Sequence, residues 1–359
     1  MPATRYPRAM QTTPAWGAAT PTSPIAPMTI TRREPGPHDV EIDILFCGVC
    51  HSDIHQARDE WGGGIFPMVP GHEIVGRVSR VGAKVTKLRA GELAGVGCLV
   101  DSCRRCASCE DASEQYCEAG PALTYNGTEM DRKTPTYGGY STRIVVDERF
   151  ALRIPESLDP AGAAPLLCAG ITTYAPLCDH GTRKGHHVGV VGLGGLGHMA
   201  VKLARSMGAE VTVFSTSASK EADAKRLGAS DFVVTKGDGL ARFGRKLDLI
   251  VDTVSAPHDY DAYLALLRAR GTMAIVGAPP TAASIQPFSL IVGGKRLVGS
   301  MIGGLAQTQQ MLDHCGTHGI VSDIELIPIQ QINEAYERVL RSDVRYRFVI
   351  DLASLRASA

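Results

Sequence analysis

A chain of 359 residues, 44% hydrophobic and 21% charged, is long enough for two domains with cores of their own. Its 37 basic and 37 acidic residues cancel, which removes the electrostatic reason to expect a nucleic acid or an anionic membrane as partner. No apolar run approaches the ~20 residues of a membrane span, and Met1–Thr13 has arginines but no apolar h-region, so neither a span nor a secretory signal is expected.

Residues 1–36 are rich in Pro, Thr and Ala and read as an irregular arm leading into a first strand pair from Pro27–Thr31 onward. Val40–Phe46 alternates apolar and polar, the pattern of a half-buried strand, and delivers Cys47 and Cys50 at its end. Ile74–Gly82 alternates again and stops at a glycine turn. Val85–Val96 reads as a strand pair around Ala90–Gly91. The first part is therefore expected to be β-rich and barrel-like.

Gly48–His55 places a thiol, two imidazoles, a hydroxyl and a carboxylate within one short stretch, and His72 follows in Gly71-His72-Glu73. Zinc favours such donors, and a catalytic zinc needs three protein ligands and an open position. Cys50 and His72 supply two, and Cys168 in Leu166-Leu167-Cys168-Ala169-Gly170 is available as the third. The alternative is a buried cysteine with two hydrogen-bonded histidines. Cys103, Cys106, Cys109 and Cys117 follow a regular close spacing that can close a four-thiolate shell. Such a site leaves no open position, so its zinc is expected to be structural and to stabilise a lobe lacking its own core, about residues 98–120. Iron accepts the same ligands, but nothing else in the chain points to an iron protein. This use of cysteine places the chain in a reducing compartment, the cytoplasm.

Thr136–Ser141 is a turn into the strand Thr142–Val146, and Ile154–Pro160 ends the first domain at residue 159, with Asp159 as N-cap and Pro160 at the first helical position. Ala161–Cys178 reads as a helix pair broken near Cys168 and Gly170. The strand Val188–Val191 is followed by Gly192-Leu193-Gly194-Gly195-Leu196-Gly197, a helix over His198–Met207, and a strand over Glu210–Phe214. In this βαβ setting the glycines have mechanical meaning: Gly192 for the tight turn, Gly194 for approach of a pyrophosphate, Gly197 for helix–strand packing. Further units follow: a helix at Lys220–Leu227, strands at Asp231–Val234 and Leu247–Asp252, a helix at Tyr260–Leu267, a strand at Gly271–Gly277 and more strand over Leu290–Ser300. The fold class is α/β, with a doubly wound nucleotide-binding domain over 160–305. Residues 306–359 offer a helix at Gln307–Leu312, a strand at Glu325–Pro328, a helix at Ile332–Arg341 and a strand at Tyr346–Asp351, whose apolar positions are expected to return to the first domain. At the tip of the second nucleotide-domain strand, Ser215, Thr216, Ser217 and Lys220 stand where an NAD-binding unit carries an acidic residue. Hydroxyls and a cation suit a 2′-phosphate, so the expected nucleotide is NADP.

Zinc-type ligands, a four-cysteine lobe and a nucleotide domain in this order resemble the zinc-dependent medium-chain alcohol dehydrogenases, in particular the cinnamyl alcohol dehydrogenase-like, NADP-dependent branch. The resemblance runs from about residue 20 to 352 and rests on Gly48–His55, Pro70-Gly71-His72-Glu73, Cys168-Ala169-Gly170-Ile171-Thr172, Gly192–His198 and Val344–Val349. It implies a GroES-like catalytic domain over 1–159, a Rossmann domain and a homodimer joined through nucleotide-domain strands. It implies Cys50, His72 and Cys168 as catalytic zinc ligands, Glu73 as a nearby carboxylate, Asp53 as the group orienting the histidine, and Ser52 and His55 as a proton relay. His51 and Arg345 would contact the pyrophosphate, and Thr172 the nicotinamide. Val276, Gly277, Ser300, Met301 and Ile302 would line the cofactor, and Trp61, Met301 and Ile302 the substrate pocket. Gly91-Glu92-Leu93-Ala94 departs from the family's Gly-Asp-Arg-Val. Met301 replaces an aromatic common in the plant enzymes, which implies a broad aldehyde pocket. The expected reaction is reversible hydride transfer between NADP(H) and primary alcohol/aldehyde pairs, aromatic and aliphatic, with two zinc ions per chain. The rivals are a zinc-independent NADPH enone or quinone reductase and a non-catalytic nucleotide-binding protein.

Overall fold

The computed structural model describes residues 10–277, 279 and 282–356. The chain divides into two compact units, Met1–Cys168 with Gly304–Ala359, and Ala169–Gly303. The first boundary lies at Cys168 rather than at residue 159, because the short helix Pro160–Ala163 and the 3-10 turn Ala164–Leu167 pack on first-unit strands. Asp159 caps that helix, its carboxylate accepting the Gly162 N–H at 2.8 Å.

The strand Asp39–Gly48 is the centre of the first unit. One edge pairs antiparallel with Ile74–Val81, which passes the sheet on to Leu93–Val96 and Leu152–Arg153. The other edge is shared: Arg143–Asp147 takes its first half and Arg347–Asp351 its second, the latter pairing parallel with Ile324–Pro328. The C-terminal strand thereby lies directly beside Gly48 and the start of the first metal-type motif. Asp39–Gly48 is more buried than its alternation suggests, because Ile332, Ala335, Tyr336 and Val339 of the helix Ile332–Leu340 join its core.

Two local expectations are corrected. The N-terminal arm is not irregular where it is described: Met10–Gly17 pairs with Ala26–Arg33 from Met10↔Arg33 to Gly17↔Ala26, while residues 1–9 lie outside the described residues. The inward positions Thr13, Ala15 and Gly17 alternate, a signal hidden by the Pro and Thr composition. Val85–Ala90 forms no strand. The Thr86 and Lys87 N–H groups donate to the Glu148 carboxylate, at 2.7 and 2.8 Å, so a side chain takes the place of a ladder.

The second unit holds six parallel strands in the order Asp231–Val234, Glu210–Ser215, His187–Val191, Leu247–Asp252, Leu267–Ile275, Arg296–Gly299. Strand order reverses between His187–Val191 and Leu247–Asp252, which opens a crevice at their C-terminal ends. Leu290–Ser300 is strand only over Arg296–Gly299. Pro287 instead opens a short helix, Pro287–Ile291, as its fixed φ favours. The helix expected to reach Leu267 ends at Leu264, and Leu267 already belongs to a strand. Among the described residues no single helix is long and apolar enough to cross a membrane.

Candidate active site and metal centres

Cys50 ends the extended run and caps the helix His51–Ala57. Asp53, at the third helical position, accepts the Cys50 N–H at 2.8 Å. The helix turns Asp53, Ile54 and Ala57 inward and leaves His51, Ser52 and His55 on its outer face. The inward Asp53 also accepts the Gly71 N–H and faces His72 Nδ1, both at 3.1 Å. Gly71 needs to be glycine: its φ is +105°, and a Cβ there would meet Cys47 Sγ at 2.7 Å. One buried carboxylate thus fixes both Cys50 and His72, leaving the far ring nitrogen of His72 for the site.

Cys168, at the end of the 3-10 turn, completes the group. Its Sγ lies 3.9 Å from Cys50 Sγ, and ligand atoms of Cys50, His72, Glu73 and Cys168, all buried, lie within 4.8 Å of one another. Two thiolates on a tetrahedral zinc with bonds of about 2.3 Å sit roughly 3.8 Å apart, so the pair fits that ion. A hydrogen bond from Cys168 is the largest influence holding the Cys50 thiol well below its usual range, while Cys168 is pushed up. Burial lifts the Glu73 carboxyl to about 8, opposed by Arg347. Arg347 Nη1 lies 3.1 Å from Glu73 Oε1, yet neither Glu73 oxygen has a hydrogen-bond partner. Buried thiols, an imidazole and an unsatisfied carboxylate form a donor set suited to a cation.

The outer face carries Ser52, whose Oγ lies 3.7 Å from Cys50 Sγ, and His55, whose Nδ1 is hydrogen-bonded to Glu60. His55 stacks between His51, at 5.4 Å, and Trp61, at 5.0 Å. Trp61 is 54% exposed. The sequence reading missed Glu60 and Arg347. It singled out Arg345, which is exposed and donates its backbone N–H to Glu325. The available signal for Arg347 was a cation heading the otherwise apolar strand Arg347-Phe348-Val349-Ile350.

The second group, Cys103, Cys106, Cys109 and Cys117, is held by a short loop and the helix Ala107–Glu110, again with sulfurs within 4.8 Å. Cys103 Sγ and Cys109 Sγ are 3.9 Å apart. Backbone N–H groups of Cys103 and Glu118 donate to the sulfurs of Cys117 and Cys106 at 3.3 and 3.4 Å. Four sulfurs and no other donor fit a closed, structural zinc shell.

In the second unit the glycine turn sits at the sheet's reversal point. Gly192 has φ +87°, and a Cβ on Gly197 would meet Gly192 O at 2.1 Å, whereas Gly194 faces open space. That is the room a pyrophosphate backbone approach needs. Lys220 Nζ donates to Leu193 O at 2.9 Å, bringing the cation from the next strand's loop to this turn. Ser215 is buried, its Oγ accepting the Ser217 N–H at 3.2 Å, while Thr216 is exposed and Ser217 Oγ pairs with Ser219 Oγ. Thr172 is buried in the helix Ala169–Asp179. The Val276 and Gly277 N–H groups both donate to Asp252 O. Ser300 N–H donates to Ile275 O, Met301 is 51% exposed and Ile302 has φ +43°.

A β-rich unit with an open thiolate–imidazole group and a closed four-thiolate lobe, in one chain with a dinucleotide-type parallel sheet, defines a metal-dependent dehydrogenase of the two-domain kind. Residues 36–156 match the family model for an alcohol dehydrogenase GroES-like domain and residues 195–316 that for a zinc-binding dehydrogenase. The chain is 54% identical over 344 residues to aldehyde reductase YahK of Escherichia coli, covering 95% of this chain and 98% of that one. It is 53% identical over 350 residues to NADP-dependent alcohol dehydrogenase C 1 of Mycolicibacterium smegmatis, covering 97% and 100%. Among solved structures, a cinnamyl alcohol dehydrogenase (SbCAD4) from Sorghum bicolor superposes with a TM-score of 0.92 at 46% identity, covering 96% of this chain and 98% of that one. The chain belongs to the zinc-dependent medium-chain alcohol dehydrogenase family, in its cinnamyl alcohol dehydrogenase-like branch.

Proposed function

We propose that the protein is an NADP(H)-dependent alcohol dehydrogenase and aldehyde reductase of broad specificity, acting on aromatic and aliphatic primary alcohol/aldehyde pairs. The observation that carries this is the buried Cys50–His72–Cys168 group beside Glu73, with a hydroxyl and an imidazole on the adjoining helix face. Relatives named as an aldehyde reductase and an NADP-dependent alcohol dehydrogenase support the substrate class and the nucleotide.

Cys50, His72 and Cys168 would hold the catalytic zinc and Cys103, Cys106, Cys109 and Cys117 the structural one. A zinc ion bound at the first group supplies Lewis-acid chemistry at the substrate oxygen. Asp53 keeps His72 in one orientation through Nδ1, and Arg347 holds Glu73 beside the sulfurs. During alcohol oxidation Ser52 Oγ would accept the hydroxyl proton beside Cys50, and His55, on the same helix face, would pass it toward solvent. Glu60, bonded to His55 Nδ1, fixes the ring's orientation and is itself open to solvent. Gly192–Gly197 would hold the pyrophosphate, with His51 and Arg345 as further donors to it, and Thr172, Val276, Gly277 and Ser300–Ile302 would hold the nicotinamide. Ser215, Thr216, Ser217 and Lys220 would hold the 2′-phosphate. Trp61, Met301 and Ile302 would contact the substrate, and an unbranched Met301 would admit varied aldehydes.

Exposed Phe288, Ile291 and Val292 beside the edge strand Arg296–Gly299 support a homodimer formed along that edge. Metal-type use of cysteine supports a cytoplasmic setting. A metal assay with an aldehyde panel tests the reading. About two zinc per chain, and NADPH-dependent reduction lost on chelation, are expected. Enone reduction that survives chelation would favour the zinc-independent rival, and absence of turnover with bound nucleotide the non-catalytic one.

A further inference from the structure

The strand Leu247–Asp252 ends in a carboxylate that the proposed chemistry does not use. Asp252 is fully buried and sits beside Val191, the last residue before the glycine turn. Its backbone oxygen accepts the N–H groups of Val276 and Gly277 at 3.0 and 3.1 Å, and its Oδ1 accepts the Val254 N–H at 3.2 Å. The next residue, Thr253, donates both its N–H and its hydroxyl to Val191 O, at 3.1 and 2.7 Å. Thr253–Val254 therefore fills the space between the two segments that flank the nucleotide. A Cβ on Gly192 would meet Val254 Cγ2 at 2.9 Å, and one on Gly277 would meet Val254 O at 2.5 Å.

The remaining oxygen of Asp252 faces His258. Oδ2 lies 3.0 Å from His258 Nε2, and the other ring nitrogen, Nδ1, lies 2.8 Å from Ala256 O. Both partners are acceptors, and a neutral imidazole has one N–H, so only the imidazolium satisfies both bonds. Tyr260 stacks on the ring at 4.5 Å, a face that favours a cation, and Tyr263 packs against it edge-on at 5.6 Å. The charged and titratable groups facing His258 are Asp252, Asp259, Tyr260 and Tyr263. The hydrogen bond to Asp252 holds the imidazole above its ordinary value of 6.5, and burial raises both tyrosines above 10.

We propose that His258 is a positioning residue for the nucleotide: as an imidazolium it neutralises Asp252 and closes the 252–258 loop, fixing Thr253–Val254 between the glycine turn and Val276–Gly277, so that NADP(H) affinity follows its charge. This rests on the reading of the second unit as the NADP(H) site. The linkage has one sign. Below its titration His258 is charged and the loop is closed. As pH rises through that raised value the proton leaves, one of the two bonds is lost, and Asp252 keeps a buried charge without a cation.

The test is NADPH titration of the zinc-loaded full chain, read by nucleotide fluorescence, from about pH 7 to about pH 9, where the 2′-phosphate is already mostly doubly ionised and its remaining ionisation acts in the opposite direction, toward tighter binding. The parent Kd should rise about ten-fold across that range, as loss of a charge-assisted bond implies. His258→Gln should bind about ten-fold more weakly than the parent at pH 7 with a flat profile, raising KM for NADPH far more than it lowers kcat. A parent that binds NADPH with a flat profile overturns the inference whether or not the variant folds, and so does a variant with the parent's Kd. A parent that binds no NADPH overturns the nucleotide reading itself and the inference with it.

Discussion

The guanidinium of Arg347 and the carboxylate of Glu73 meet 3.1 Å apart with side chains only 7% and 0% exposed. The C-terminal strand brings this cation to the buried sulfur group through its pairing with Asp39–Gly48, where Val349 opposes Gly48. Arg347 Nη1 also donates to Val49 O, next to Cys50. Above about pH 8, where Glu73 is ionised, removing one partner of this buried pair leaves a charge without compensation, a loss of about 3–5 kcal/mol. Arg347→Met should therefore lower stability by that order, and adding Glu73→Gln should restore part of it. Urea unfolding of the zinc-loaded proteins measures both. An unchanged midpoint for Arg347→Met would show that the pair contributes nothing.

Cys168 follows the 3-10 turn Ala164–Leu167, whose four residues are themselves buried. Cys168→Ser should abolish turnover, lower the zinc content from about two ions per chain to about one, and leave the unfolding temperature within a few degrees. Metal analysis and a thermal scan of the same sample check this. Equal loss of fold and activity would place Cys168 in a structural role.

Cys106 stands in the opposite position. The one-turn helix that follows it, Ala107–Glu110, has no buried residue, so a metal on the four sulfurs is the main tie expected for this turn. Cys106→Ser should lower yield and thermal stability and release the closed-site zinc. Retention of both zinc content and parent stability would reject the four-thiolate assignment.

Much of this architecture was legible because chemistry and pattern coincided. The glycine spacing after a short apolar strand marked the parallel sheet, and the four-cysteine spacing marked a group that the fold brings within 4.8 Å. Cys50, His72 and Cys168 were also readable as candidates, since their residue types are rare together. What stayed hidden depended on long-range pairing. Glu148 replaces a strand partner for Thr86 and Lys87, and no local signal announces that. Arg347 faces Glu73 only because two distant strands align, so Arg345 stood out in its place. His258 looked like a loop residue until the fold set it on Asp252. Ser215 was read from position alone, and its commitment to the Ser217 N–H could not be.

That last bond shapes the cofactor prediction. Ser215 ends the strand Glu210–Ser215, and its Oγ accepts the Ser217 N–H. An aspartate there can accept the same N–H, as Asp does in comparable turns, so the loop should keep its shape. Its carboxylate would face the ribose. A 2′-phosphate carries close to two negative charges, and charge-assisted bonds from the loop are worth roughly 1.5–3 kcal/mol each at best. Exposure of Thr216 and part of Lys220 reduces that, so the parent should prefer NADPH over NADH by about ten- to thousand-fold in kcat/KM, at about 1.4 kcal/mol per decade. Ser215→Asp should reverse the preference through two terms, repulsion of the phosphate and acceptance of the 2′-hydroxyl proton of NADH. The measurement is kcat/KM for both nucleotides in parent and variant at one ionic strength, because screening alters the repulsion. A parent equally active with NADH, or a variant with the parent's ratio, would remove this loop from nucleotide choice.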